Sequence, residues 1–172
     1  MSKSKKNIPK KDYTVPILGA VFAAVLIFMI AALCIPKEAE KGAFTPPPFE
    51  SAAVAGTPEV SENLGYSELY QDGMAYRFSV CGNVTMEDHN AVVYFTSPES
   101  NEKWLKLRVL DGNGNILGET GVIKPGEYIK YVELTKSLPA GTSIKLKIMG
   151  YEPDTYDSAG SVSLNTTIGG PS

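Results

Sequence analysis

The chain of 172 residues has one histidine, two cysteines and no charged side chain between Tyr13 and Pro36. Each scarcity excludes something. His89 lies in a charged turn with Glu87, Asp88 and Asn90, and no G-x-S-x-G pattern or comparable nucleophile motif occurs. General acid–base and nucleophilic catalysis both need a second positioned group, so the sequence makes no case for an enzyme. Ligand poverty likewise excludes a zinc centre, and no cofactor is implied. The two cysteines, Cys34 inside the apolar run and Cys81 in the polar remainder, cannot form a disulfide framework. The folded part must therefore rest on an ordinary core, for which about 100 residues suffice. Cys81 has no basic cluster beside it and reads as an inert structural cysteine on a strand face.

A surplus of positive charge is also missing where it would matter. The whole chain has 16 basic and 19 acidic residues. Setting aside the five lysines and one aspartate of the first 36 residues leaves 11 basic against 18 acidic, a net charge of −7 for residues 37–172. Phosphate-backbone binding over a wide surface needs the opposite balance, so nucleic acid is not expected as a partner.

What the chain does have is a long apolar run. Val15 to Ile35 is uninterrupted by charge, and at 1.5 Å per residue it is long enough to cross a hydrocarbon core of about 30 Å. Residues 13–36 thus read as a transmembrane helix in a lipid bilayer. Lys3, Lys5, Lys6, Lys10 and Lys11 precede it, whereas Lys37-Glu-Ala-Glu-Lys41 on the far side is balanced. The positive-inside rule leaves the basic tail, 1–12, in the cytoplasm and residues 37–172 outside the cell membrane. A cleaved signal peptide is the main rival, although its apolar region is usually only about 7 to 15 residues long and ends in small residues. Lipidation at Cys34 is the third possibility, with Leu33 standing where a lipobox has a small residue.

Residues 37–70 include Pro46-Pro47-Pro48 and show little periodicity. They read as an extended extracytoplasmic stalk, with a proline-rich peptide ligand as the alternative. From about residue 71 the pattern changes to period two. Alternation or short apolar runs over 76–80, 92–95, 105–109, 115–120, 128–134, 144–148 and 162–168 predict seven strands. Turn signals separate them, among them Asp111-Gly-Asn-Gly114, Lys124-Pro-Gly126 and Leu138-Pro-Ala-Gly141. Seven short alternating strands in about 100 residues point to an all-β, antiparallel two-sheet sandwich over 71–172, with a small barrel as second choice.

The run Leu110-Asp-Gly-Asn-Gly-Asn-Ile-Leu117, then Gly121-Val-Ile-Lys-Pro-Gly126, then Leu134-Thr-Lys-Ser-Leu-Pro-Ala-Gly141 resembles the middle hairpin and following corner of bacterial immunoglobulin-like modules. It departs from them at Thr142 and Ser143, where many carry a tyrosine. The whole chain resembles an anchored surface protein of a Gram-positive bacterium. The resemblance implies adhesion, assembly or spacing rather than a defined chemistry.

Candidate sites are few. Asp111-x-Asn113-x-Asn115 has the oxygen ligands that open a calcium loop, but Ile116 stands where glycine is needed and Val122 where the bidentate glutamate belongs, so a hairpin turn explains it. Leu138-Pro-Ala-Gly-Thr142 departs from a sortase signal in order and in lacking a hydrophobic tail. Asn83-Val-Thr85 and Asn165-Thr-Thr167 fit a glycosylation pattern that matters only in a eukaryotic secretory pathway. Lys106 with Arg108, and Lys145 with Lys147, each share one face of a strand, and the two strands are neighbours in an immunoglobulin-like sheet. They make a basic patch suited to an anionic wall polymer or an acidic protein partner, or simply a solvated outer face. Tyr151 and Tyr156, if exposed and roughly coplanar, suit stacking on sugar faces. The expectation is a single-pass membrane protein with a non-catalytic interaction module, and a glycan- or wall-polymer-binding module as its alternative.

Overall fold

Where apolar and polar residues alternate, one face of a strand is committed to the interior, and the segments from Phe78 onward do so repeatedly. A computed structural model of the chain describes residues 44–70 and 73–170, which are all-β. The basic tail, the apolar span expected over 13–36 and the expected stalk as far as 43 lie outside the described residues. Among the described residues no helix is long and apolar enough to cross a membrane.

Ten strands are present among the described residues: β1 (Val54–Ala55), β2 (Tyr66–Leu69), β3 (Phe78–Cys81), β4 (Thr85–Glu87), β5 (Asn90–Ser97), β6 (Trp104–Leu110), β7 (Ile116–Glu119), β8 (Glu127–Glu133), β9 (Ser143–Tyr151) and β10 (Ser158–Thr167). All seven expected strands are among them. The three additions are short: β1 has two residues, β4 three, and β2 the unpatterned Tyr-Ser-Glu-Leu.

They form two antiparallel sheets. One runs β1-β8-β5-β3-β2 with β4 also on β5, and the other runs β10-β9-β6-β7. Phe78, Val80, Val93, Phe95 and Ile129 of the first sheet and Leu105, Leu107, Val109, Leu146 and Ile148 of the second belong to one buried cluster between the sheets. Each such side chain stabilises the fold by roughly 1.5–3 kcal/mol relative to leaving it in water. Close approach is enforced at Gly150, where a Cβ would clash with the edge of the Tyr76 ring. The Tyr76 hydroxyl donates to the Ile148 and Gly160 carbonyls, each at 3.2 Å.

The folded unit begins at Thr45 rather than near 71. Val122 N–H donates to the Pro48 carbonyl at 2.9 Å and Glu50 N–H to the Val122 carbonyl at 2.8 Å, beside Gly121, where any Cβ would overlap the Phe49–Glu50 backbone. The chain then pairs through β1 with β8, and Pro58, Val60 and Leu64 follow. Leu64 is buried with Cys81 and Val92, with Val60, Tyr66 and Tyr94 packed around them, a second small core on the outer side of the first sheet. The absence of period two misled the stalk expectation over 45–70, because this segment contributes scattered anchors rather than a continuous strand.

Candidate functional site

The four-stranded sheet sends Leu105, Leu107, Val109, Ile144, Leu146 and Ile148 inward, so alternation sends Trp104, Lys106, Arg108, Lys145, Lys147, Met149 and Tyr151 outward. Pairing of β6 with β9 sets Arg108 opposite Lys147, Lys106 opposite Met149, and Trp104 opposite Tyr151. The four expected cations therefore share one sheet face.

They are not equivalent. Glu119 on β7 stands opposite Arg108. Its carboxylate accepts from Lys106 Nζ at 2.8 Å through Oε1, and from Arg108 Nε at 2.8 Å and Nη2 at 2.7 Å through Oε2. Burial pushes the Glu119 carboxyl up, but the hydrogen bonds from Lys106 and Arg108, joined by their charges, outweigh it and hold the group below its ordinary value. Lys106 is itself buried, 7% exposed. Lys145 and Lys147 form no ion pair among the described residues, and their neighbours on β10 are Asn165 and Ser163. The patch read from sequence as four equal cations thus divides into a pair that shares one carboxylate and is half-neutralised by it, and a pair without an ion-pair partner among the described residues.

Beside the free pair an open cleft of about 420 Å³ is lined by Asp111, Ser143, Lys145, Asn165 and Thr167. Asp111 is occupied by its own turn: Oδ1 accepts from the backbone N–H of Asn113 at 2.9 Å and of Asn115 at 2.8 Å, and Oδ2 accepts from Asn115 Nδ2 at 2.9 Å. These bonds, the Asn115 side chain first, hold its carboxyl below the usual range. The Asp-Asn-Asn run builds a hairpin loop.

At the other end of the same face four rings form a chain. Phe49 meets Trp104 at 4.8 Å between centroids, Trp104 meets Tyr156 at 5.2 Å, and Tyr156 meets Tyr151 at 6.5 Å. Tyr151 and Tyr156 are half-buried and their planes are inclined by 58°. The coplanar platform that the glycan expectation required of this pair is absent, because aromatic quadrupoles favour edge contacts and the rings pack on one another. Lys124 Nζ caps the chain 4.5 Å above Phe49.

The outer side of the other sheet carries a feature that the sequence did not disclose. Between Val92 and Phe95 the pairing of β5 with β8 slips by a bulge. Tyr94 sits within it at φ 44°, a left-handed conformation that costs a side-chain-bearing residue on the order of 1–3 kcal/mol. Tyr94, Tyr128, Lys130 and Tyr131, with Val54 and Glu59, line an open cleft of about 610 Å³. Lys130 Nζ lies 4.5 Å from the Tyr131 centroid, 5.7 Å from that of Tyr94 and 3.7 Å from Glu87 Oε1. The Tyr131 hydroxyl donates to Glu87 Oε2 at 2.8 Å. Tyrosines at 94, 128 and 131 are visible in the sequence, but only the bulge and the β5–β8 register bring them together.

Cys81 is 1% exposed, and burial pushes its thiol up to about 11. It is a packing residue beside Leu64 and Val92. His89 is exposed in the turn between β4 and β5, and its backbone carbonyl accepts from Leu134 N–H at 2.8 Å.

No protein-family model matches the chain, and no curated protein or solved structure matches it either. The functional reading rests on the residues themselves.

Proposed function

We propose that the protein is a single-pass membrane protein that presents an immunoglobulin-like β-sandwich outside the cell as a non-catalytic interaction module. Its working surface is the outer face of the four-stranded sheet, and its partner is a polyanion, an anionic wall polymer before an acidic protein. The apolar run over 13–36 with its flanking lysines supports the tether. Two antiparallel sheets over one core, together with the Asp/Gly hairpin and Leu-Pro-Ala-Gly corner, support the immunoglobulin-like reading.

One observation carries the choice of surface. In an outer part of net charge −7, Lys145 and Lys147 stand without an ion pair among the described residues, next to the hydroxyl and amide groups of Ser163 and Asn165. Ammonium groups without an ion pair, beside neutral donors and with Asp111 held by its own turn, suit a repeating phosphate or carboxylate, and they raise the encounter rate with such a chain.

Two measurements test this. A periplasm- or surface-dependent reporter fused after Ser172 should be active, and one fused before Met1 inactive; the reverse pattern contradicts the orientation. Purified teichoic acid should bind the full-length protein in detergent and should bind Lys145→Glu/Lys147→Glu at least tenfold more weakly, whereas equal binding contradicts the assignment of the surface.

A further inference from the structure

We propose a second binding site, for a neutral saccharide chain, in the tyrosine cleft on the outer side of the six-stranded sheet. The site is independent of the polyanion surface, which lies on the other sheet. Its volume of about 610 Å³ falls within the range of small-molecule sites, and the cleft is open along its length. Three tyrosine rings and the half-exposed Val54 supply apolar faces. Thr57, Glu59 and Lys130 supply polar groups among them.

The charge balance selects the class of ligand. Lys130 is the cation of the cleft, and it already faces Glu87 at 3.7 Å, with Glu59 also in the lining. A polyanion meets carboxylates here, and a cationic ligand competes with Lys130 for the same two ring faces. A neutral polyhydroxylated ring meets no like charge, and Tyr128 offers it a ring outside these Lys130 contacts. Its C–H face packs on Tyr128 with Tyr94 and Tyr131 as walls, while its hydroxyls donate to Glu59 and accept from Lys130, Thr57 and the Tyr94 and Tyr128 hydroxyls.

The walls are set before any ligand arrives. Glu87 holds the Tyr131 hydroxyl at 2.8 Å, and the bulge fixes Tyr94 in a backbone conformation that a tyrosine rarely adopts. A ring held in place loses little freedom on binding. The sugar-stacking function that the sequence attached to Tyr151 and Tyr156 fits Tyr94, Tyr128 and Tyr131 instead.

The test is isothermal titration of the full-length protein in detergent with cellohexaose, maltohexaose and chitohexaose, and with a polyproline decapeptide as the protein-ligand control. Two variants report on the cleft. Tyr131→Ala removes an exposed ring, and Tyr94→Gly removes a ring while placing at φ 44° the residue that best tolerates it. Circular dichroism checks that each is folded. The expected result is saturable binding of at least one hexasaccharide, weakened tenfold or more in each folded variant and unchanged in Lys145→Glu/Lys147→Glu. Absence of binding by all three sugars, or binding equal in wild type and both variants, overturns the proposal. Cleft-dependent binding of polyproline alone assigns the cleft to a protein partner and overturns the saccharide reading as well.

Discussion

The two sheets share one core but have unlike outer faces. On the four-stranded sheet the outward residues of β6 and β9 include Trp104, Lys106, Arg108, Lys145, Lys147 and Tyr151, and Lys145 and Lys147 are partly exposed. On the six-stranded sheet the chain from Gly56 to Gly65 provides Val60 and Leu64, which cover Cys81 and Val92 with a second apolar cluster. The outward chemistry of the first face follows from alternation, although register shifts interrupt β6–β7 and β9–β10 and a smaller cleft lies beside Lys145. The second is shaped by a bulge at Tyr94 on the central strand β5 and by a covering segment, and the larger cleft opens there. Alternating charge on the central strands makes an electrostatic surface, whereas a bulge that gathers aromatic side chains makes the larger cleft.

Leu107 and Phe95, both fully buried, belong to the core beneath both faces. Leu107→Ala or Phe95→Ala should lower unfolding free energy by about 3–5 kcal/mol and abolish both binding activities together. Denaturant titration of the two variants measures the first effect. Loss of one activity alone would mean that the faces are not supported by a common core.

Gly121→Ala should act on one face only. The new methyl overlaps the Phe49–Glu50 backbone, threatening the hydrogen bonds of Glu50 and Pro48 with residues 121 and 122. A loss of about 1–3 kcal/mol is expected, together with a change in Trp104 fluorescence as Phe49 moves off the indole. The tyrosine cleft should keep its sugar affinity.

Glu119→Gln sharpens the division within the basic face. The carboxylate is partly exposed, so after allowance for solvent screening its loss should cost only about 1 kcal/mol. Because its folded pKa lies below the ordinary 4.5, the stabilisation is present above that value and disappears as pH falls through the depressed one. The stability difference between wild type and Glu119→Gln should thus be constant at neutral pH and vanish in acid. The substitution also frees Lys106 and Arg108, so teichoic acid should bind the variant more tightly.

The smallest effect concerns the second face. Tyr131→Phe removes the hydroxyl bond to Glu87 from an exposed ring and should change stability by less than about 0.5 kcal/mol. Its sugar affinity should fall less than that of Tyr131→Ala, since the ring face remains.

The expected strands were legible because an alternating strand carries its own burial pattern. Ile144, Leu146 and Ile148 between Lys145 and Lys147 fix both the element and its outward face. The neighbouring positions of β6 and β9 followed once a sandwich was assumed. Glu119 escaped because its role depends on β7 pairing across β6, and its own strand is only four residues long. Val54, Pro58 and Leu64 were hidden because isolated anchors in a segment of small and polar residues have no period. Tyr151 and Tyr156 were correctly placed near one another in sequence, but the inclination of their rings depends on Trp104, from another strand. The cleft was least legible of all, since it depends on the β5 bulge, which no local motif announces.

Lys145 and Lys147 of β9 are the residues on which polyanion binding depends most, and the salt dependence of teichoic acid binding tests their role. For the full-length wild-type protein, affinity should fall steeply with rising salt, as it does when cations displace the counterions of a polyanion. For Lys145→Gln/Lys147→Gln the slope of log affinity against log salt should flatten by about two contacts' worth. An unchanged slope and affinity in that variant would place the polyanion elsewhere and contradict the account.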